Sequence, residues 1–125
     1  MQCWRLDDGR QTLALVSRDG RLPEVIYWGA PLPEGDDLAT IARAGDPDVT
    51  GGMLDRNPPL SICPEASMSF PGQPGLILRD TGGTPLLPSL RFVGATQGEA
   101  DLTLECRDDE IGLTYEGRIA LDPET

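Results

Sequence analysis

The chain has 125 residues and a formal net charge of -11, because 21 Asp and Glu residues outweigh ten basic residues, all of them Arg. This acidic excess argues against nucleic acid as a partner, since nucleic-acid binding relies on basic patches that neutralise phosphates. The absence of Lys and His excludes Schiff-base chemistry, imidazole bases, the Ser-His-Asp triad and histidine metal ligands. The length predicts one domain with a modest core.

Three cysteines, Cys3, Cys63 and Cys106, are odd in number and widely spaced. They match neither a zinc-ribbon pattern nor a complete disulfide framework, so we predict no metal site and a reducing, cytoplasmic environment. Cys63 and Cys106 lie among apolar residues and are predicted to be small core residues. Charges follow too soon for a signal peptide, and no apolar run reaches the length of a membrane span. We expect a soluble chain with no membrane partner.

A hairpin is predicted in the region before residue 30. Short apolar blocks alternate with turn formers, and fifteen glycines and twelve prolines in one chain are typical of short strands joined by turns. Residues 11–17 (QTLALVS) and 22–28 (LPEVIYW) are predicted strands, joined by a turn at 18–20. Strict alternation in the second strand puts Val25 and Tyr27 on one face, and Glu24, Ile26 and Trp28 on the opposite face.

One helix is predicted, over residues 36–45 (DDLATIARAG). Asp begins it as an N-cap, Leu38 and Ile41 lie on one face, and Gly45 ends it. The proline-rich residues 46–75 that follow have no clean periodicity, which predicts a long ordered connection or a set of very short strands. A connection this long in a compact domain is usually functional or lies at an interface.

Alternation returns towards the end of the sequence. Residues 74–79 and 90–95 are predicted strands, and residues 101–107 and 111–121 are predicted to form a hairpin around a polar turn at 108–110. The apolar positions that share the inward faces of this hairpin are Leu102, Leu104, Cys106, Leu113, Tyr115, Ile119 and Leu121. An antiparallel sheet with one dry and one wet face needs a second layer. The sequence therefore predicts an all-β antiparallel β-sandwich with one short helix.

The aromatic pair Tyr27 and Trp28 ends an apolar run immediately before Gly and Pro. In one interpretation, Trp28 packs under the Pro-rich loop that follows. In the other, it forms a binding or interface platform, because aromatic rings stack on the apolar faces of sugars and on partner surfaces.

Adjacent aspartates raise the question of catalysis at two places, Asp7 with Asp8 and Asp36 with Asp37. A glycosidase needs two carboxyl groups at a fixed separation around one bond. Adjacent residues of a strand point to opposite faces, however, and Asp at a turn or at a helix start is ordinary capping chemistry. We therefore assign no catalytic residue to this chain.

Four segments, taken in order, resemble the amino-terminal β-sandwich domain of family-36 glycoside hydrolases, the α-galactosidases also called melibiases. They are residues 22–29 (LPEVIYWG), 53–70 (MLDRNPPLSICPEASMSF), 75–80 (GLILRD) and 111–123 (IGLTYEGRIALDP). Before the third of these segments the family more commonly has Gly-Asp-Phe-Arg, whereas this sequence has residues 69–74 (SFPGQP). In that region only Phe70 and Pro74 match the family pattern. The resemblance runs from about residue 4 onward. It implies a supersandwich-like fold in which residues 1–125 form a single domain, the amino-terminal part of a larger α-galactosidase.

In that family the chemistry belongs to a (β/α)₈ barrel that follows the sandwich and works by a retaining mechanism. The resemblance implies that this chain is itself inactive, binds no cofactor, supports the barrel of the same polypeptide, takes part in a homo-oligomer and approaches a galactoside at a shared active-site rim. The candidates for the rim or interface are Trp28, Asp55, Arg56 and Phe70. Two alternatives stay open: a free-standing carbohydrate-binding module and a purely structural sandwich.

Overall fold

Antiparallel strands dominate the fold. The computed structural model describes residues 1–46, 61–68 and 70–122. Within these ranges lie β1 (Gln2–Asp7), β2 (Thr12–Ser17), β3 (Glu24–Gly29), α1 (Leu38–Ala44), a 3-10 turn (Ala66–Met68), β4 (Leu78–Arg79), β5 (Pro85–Leu86), β6 (Arg91–Gln97), β7 (Asp101–Asp108) and β8 (Leu113–Ala120). They form three sheets with the orders β1-β2-β3, β4-β5 and β6-β7-β8, and every pairing is antiparallel. The predicted all-β class with one short helix is confirmed.

The first sheet is covered on both faces. All six residues of its central strand, β2, are buried. Leu13 and Leu15 face the β6-β7-β8 sheet and pack with Leu102 and Leu104. The residues between them point to the other face, where α1 packs against β2 and β3. This double cover explains why the strand reads as a continuous apolar run, without the alternation of a half-exposed strand.

A β-bulge in β3 corrects the predicted side-chain directions. Tyr27 pairs with Ala14, but the next pair along β2 joins Leu15 to Val25, so Ile26 is the extra residue. A bulge residue breaks the period of two. Val25 therefore faces the core. Trp28, which lies opposite Leu13, is on the same side of the sheet. Strict alternation was wrong here because a single inserted residue reverses every direction beyond it.

The core lies between the first sheet and the β6-β7-β8 sheet, in a sandwich-like arrangement. Its centre consists of Leu6, Leu13, Leu15, Leu102 and Leu104, each at most 8% exposed. At its margin the rings of Trp4 and Phe92 meet edge to face, with centroids 5.2 Å apart. A second cluster contains Leu22, Cys63, Leu90 and Cys106, so the prediction that Cys63 and Cys106 are core residues is confirmed. The opposite face of the β6-β7-β8 sheet is exposed or half-buried, as predicted for a one-sided sheet.

The helix is held by its caps and by one arginine. Its N-cap is Asp37 rather than Asp36, because the Asp37 side chain accepts from the Ala39 N–H at 3.0 Å. Gly45 ends the helix as predicted. Arg18 ties α1 to the first sheet: its guanidinium donates to the Ala42 carbonyl at 2.8 Å and forms an ion pair with Glu24 at 2.9 Å.

One predicted strand is much shorter than expected, and one strand of the structure was not predicted. Residues 74–79 were expected to form one strand, but β4 has only two residues and pairs with an equally short β5. Pro85 has no N–H to donate, which shortens this ladder. The structure also contains β1, a full edge strand that was not predicted. Its pattern is obscured by the charges of Arg5 and Asp7, which form an ion pair with each other.

Candidate functional site

The most exposed aromatic ring in the described part of the chain is that of Trp28, at the end of β3. Its exposed fraction is 69%. The ring is nevertheless oriented, because the indole Nε1 donates to Gln11 Oε1 at 2.9 Å. A large apolar ring that is both open to solvent and fixed in direction offers contact area at a small cost in conformational entropy. Trp28 does not pack under the loop that follows it.

That loop is instead fastened to the edge of the sheet by β1 and β2. Arg5 donates to the carbonyl oxygens of Leu32 and Pro33. The buried Thr12 hydroxyl accepts from the Leu32 N–H at 3.0 Å and donates to Asp7 Oδ1 at 2.6 Å. These bonds pull residues 32–33 towards β1 and leave the Trp28 ring uncovered. Sequence reasoning missed Arg5 and Thr12, because their role depends on a pairing of β1 with β2 that had not been predicted.

The charges beside Trp28 are structurally engaged. Arg5 donates from Nε and Nη2 to both carboxylate oxygens of Asp7, at 2.6 and 2.9 Å, and this contact lowers the pKa of Asp7. The pKa of Asp8 is lowered by the hydrogen bond that its side chain accepts from the Arg10 N–H and, to a smaller extent, by the one from the Gln11 side chain. Both aspartates are thus ionised hydrogen-bond acceptors that hold turns. Neither has the raised pKa expected of a general acid.

The four predicted rim residues have different outcomes. Trp28 is exposed at a strand end, as described above. Phe70 is half-buried and its ring covers Gly72, where an added Cβ would lie 2.7 Å from the ring Cε1. Asp55 and Arg56 lie outside the described residues. The grouping of all four on one surface therefore stays a prediction.

An apolar groove of about 110 Å³ was not predicted. It lies where the β4-β5 hairpin meets the segment that carries the 3-10 turn, and its lining includes the exposed side chains of Ile77 and Leu87. Each of these two side chains is more than 60% exposed. In the sequence, the apolar signal lies in residues 76–78 (LIL) and 85–88 (PLLP). Only the β4-β5 hairpin brings these two segments together.

Among the described residues two carboxylates are buried, Glu65 and Asp108, and both bind backbone amides of the segment that enters β6. Glu65 accepts from the Leu90 N–H at 3.1 Å, and burial raises its pKa. Asp108 accepts from the Ser89 N–H at 2.8 Å, and that bond lowers its pKa. Opposite pKa shifts in neighbouring carboxyls resemble an acid–base pair. Here, however, backbone amides occupy the acceptor positions, so the arrangement explains how residues 88–90 are held rather than how a bond is broken.

The thiols are poorly suited to nucleophilic chemistry. Burial raises the pKa of Cys63 and raises that of Cys106 to about 11. A thiol with a raised pKa stays protonated near neutral pH and reacts slowly. In the described ranges, no group of three or more Cys, Asp or Glu side chains is arranged to hold a metal ion.

Comparisons of the chain with protein-family models, with curated proteins and with solved structures found no match. None of the helices in the described ranges combines the length and apolar character required to span a bilayer. What the chain does is therefore inferred from its residues and from their geometry.

Proposed function

We propose that this chain is the non-catalytic amino-terminal β-sandwich domain of a family-36 α-galactosidase. A barrel domain that follows it in the same polypeptide would hydrolyse terminal α-galactosides in the cytoplasm. The sandwich supports that barrel, takes part in oligomerisation and presents strand-end side chains to the active-site rim. The observation that carries the proposal is the exposed, oriented ring of Trp28.

The position of Trp28 connects the geometry with the sequence resemblance. The segment LPEVIYWG ends on this residue and on Gly29, and this is the part of β3 that reaches the sheet end. Trp is enriched among the residues that dominate binding energy at interfaces, especially where neighbouring groups exclude water. The fastened residues 32–33 supply a rigid neighbour, so a partner that covers Trp28 does not have to order a loop.

The reading frame that continues past Thr125 gives the first test. A continuation that encodes a (β/α)₈ barrel with two catalytic aspartates supports the proposal. A stop codon at that point, or a continuation of another class, contradicts it.

In the full-length protein, Trp28→Ala tests the role of the surface itself. Leu87→Ala is the matched control, because Leu87 has the same exposed fraction, 69%, but lies in the apolar groove. Trp28→Ala is expected to raise KM for a galactoside or to lower the temperature at which the two domains unfold together, whereas Leu87→Ala leaves both unchanged. Equal effects of the two substitutions would show that Trp28 has no special role.

The isolated 125-residue chain separates the accessory role from a free-standing carbohydrate-binding module. Galactose and raffinose are titrated while tryptophan emission is recorded, with Trp28→Phe to identify the responding ring. An accessory domain gives no saturable change. A saturable emission change that Trp28→Phe removes would instead establish a sugar-binding module with Trp28 at its site.

A further inference from the structure

The edge strand β8 leaves one row of backbone groups without a strand partner in the described ranges. β8 is the outer strand of the order β6-β7-β8, and it pairs with β7 along all eight of its residues. In residues 1–46, 61–68 and 70–122, no other strand pairs with it. A regular edge of this length is a template for another strand, and natural edges are blunted by bulges, prolines and charged side chains. β8 contains no bulge and no proline, and its two charged side chains, Glu116 and Arg118, are of opposite sign.

The exposed face of β8 carries one charge that its own sheet does not satisfy. Glu116 lies directly opposite Glu105 on β7, and like charges in that position destabilise a sheet. Glu105 forms its ion pair with Arg107, at 2.6 Å. Within the part of the chain that the structure describes, Glu116 forms no ion pair.

The complementary charge lies two residues further along the same strand. Arg118 binds Asp101 through Nε and Nη2, at 2.8 and 2.7 Å, and its side chain is 69% exposed. A guanidinium has five N–H donors, so the contact with Asp101 leaves others available. Glu116 and Arg118 point to the same face because they are two residues apart.

We infer that β8 pairs with β8 of a second copy of this chain, antiparallel, with Gly117 on the two-fold axis. This register places Glu116 of each copy opposite Arg118 of the other, which gives two symmetric cross-strand ion pairs on the exposed face. On the inner face it places Tyr115 opposite Ile119, an aromatic and β-branched pair that stabilises antiparallel sheets. The two β6-β7-β8 sheets then join into one sheet of six strands.

The charges select this register against its neighbours. Residues that lie opposite each other in an antiparallel pair point to the same face of the sheet. An alternative register that keeps the core-facing side chains of both copies on one face must therefore move the two-fold axis by a whole residue along β8. Centring the pair on Glu116 places two glutamates opposite each other, and centring it on Arg118 does the same with two arginines. Of these three centres, only Gly117 brings opposite charges together.

The inference rests on the proposed function only in taking oligomerisation as part of the role of the domain. Its evidence is the edge, the charges and the register of β8, all far along the chain from Trp28. A dimer through β8 with no effect of Trp28→Ala would leave this inference standing and remove the other. A Trp28-dependent effect in a chain that stays monomeric would do the reverse.

Sedimentation equilibrium of the 125-residue chain tests the inference with charge-swapped variants. The measurements use about 0.15 M salt, where a Debye length of about 8 Å screens the repulsion between two copies of charge -11. Glu116→Arg and Arg118→Glu each place like charges opposite each other in the dimer, and each is expected to raise the dimer Kd by roughly tenfold or more. The double variant E116R/R118E restores opposite charges and is expected to recover most of the dimer.

The control is Glu99→Arg, which makes the same change in net charge at an exposed position in the turn between β6 and β7. Far-UV circular dichroism confirms that each variant is folded, and Glu116→Arg should fold well because it places Arg opposite Glu105. A wild-type chain that remains monomeric at about 1 mM would overturn the inference. So would equal weakening by Glu99→Arg and Glu116→Arg, or a double variant no better than either single one.

Discussion

Replacing Thr12 by Val removes one buried hydroxyl that joins β2 to two other segments. The residue is fully buried, and its Oγ1 donates to Asp7 and accepts from the Leu32 N–H. Val has nearly the same shape, so the substitution leaves almost no cavity. The effect on stability therefore comes from the lost hydrogen bonds.

The size of that effect follows from the two bonds. A hydrogen bond to a charged group contributes about 1.5–3 kcal/mol, and leaving a buried amide without an acceptor costs about 1–3 kcal/mol. The Asp7 side chain is 40% exposed and keeps its ion pair with Arg5, so the first contribution lies at the lower end. We expect Thr12→Val to lower the free energy of unfolding by about 2–4 kcal/mol.

Urea denaturation at pH 7 measures this loss, and Thr12→Ser is the matched control. Ser keeps the hydroxyl and loses one methyl group, which costs about 1 kcal/mol. Hydrogen exchange provides a second measurement, because the Leu32 amide should lose protection in Thr12→Val alone. If Thr12→Val is no less stable than Thr12→Ser, the hydroxyl does not hold the loop and the description of this edge is wrong.

Three further predictions concern the core and its ionisable groups. Leu104→Ala, at a fully buried position, should lower the free energy of unfolding by about 2–5 kcal/mol in urea denaturation, and a loss below about 1 kcal/mol would contradict the packing. Burial raises the pKa of Glu65 in the folded state, so its contribution to stability is fully present below the unfolded pKa and is lost as pH rises through the folded one. Glu65→Gln keeps an acceptor for its backbone donor and should flatten that part of the pH–stability curve, whereas an unchanged curve would show that the buried carboxyl is not its source. With a thiol reagent at pH 8, the half-buried Cys3 should react first, and fast labelling of Cys63 or Cys106 before unfolding would contradict their burial.

The hairpin predicted over residues 101–107 and 111–121 was found as β7 and β8, and the reason is physical. β7 and β8 belong to a sheet with one face in the core and one in water, so their residues alternate strictly. Leu102, Leu104 and Cys106 are fully buried, as their period of two predicts. The helix was predictable from its caps, with an error of one residue at Asp37.

The elements that were missed depend on contacts far away in the sequence. β1 becomes a strand by pairing with β2, and the charged pair of Arg5 and Asp7 hides its pattern. The bulge at Ile26 has no signal of its own, because one inserted residue changes directions without changing composition. The apolar groove exists only once two separate segments meet at the β4-β5 hairpin.

Trp28 could be singled out from the sequence, but its exposure to solvent could not be predicted. An aromatic pair at a strand end singles out Trp28 in the sequence. The sequence leaves open whether the loop covers the ring, since that depends on Arg5 and Thr12 drawing residues 32–33 towards β1. The decisive residues thus lie on two other strands.

The sandwich-like architecture leaves room for both of the proposed contact surfaces. The first sheet is covered by α1 on one face and by the β6-β7-β8 sheet on the other, so a partner can approach it mainly at its edges and strand ends, where Trp28 lies. The β6-β7-β8 sheet has an open outer face and, among residues 1–46, 61–68 and 70–122, no strand that pairs with the outer edge of β8. Pairing along β8 adds strands in the plane of that sheet and does not require the strand end of β3. The proposed partner on Trp28 and the proposed second copy on β8 would therefore bind different sheets, and loss of one contact should leave the other intact.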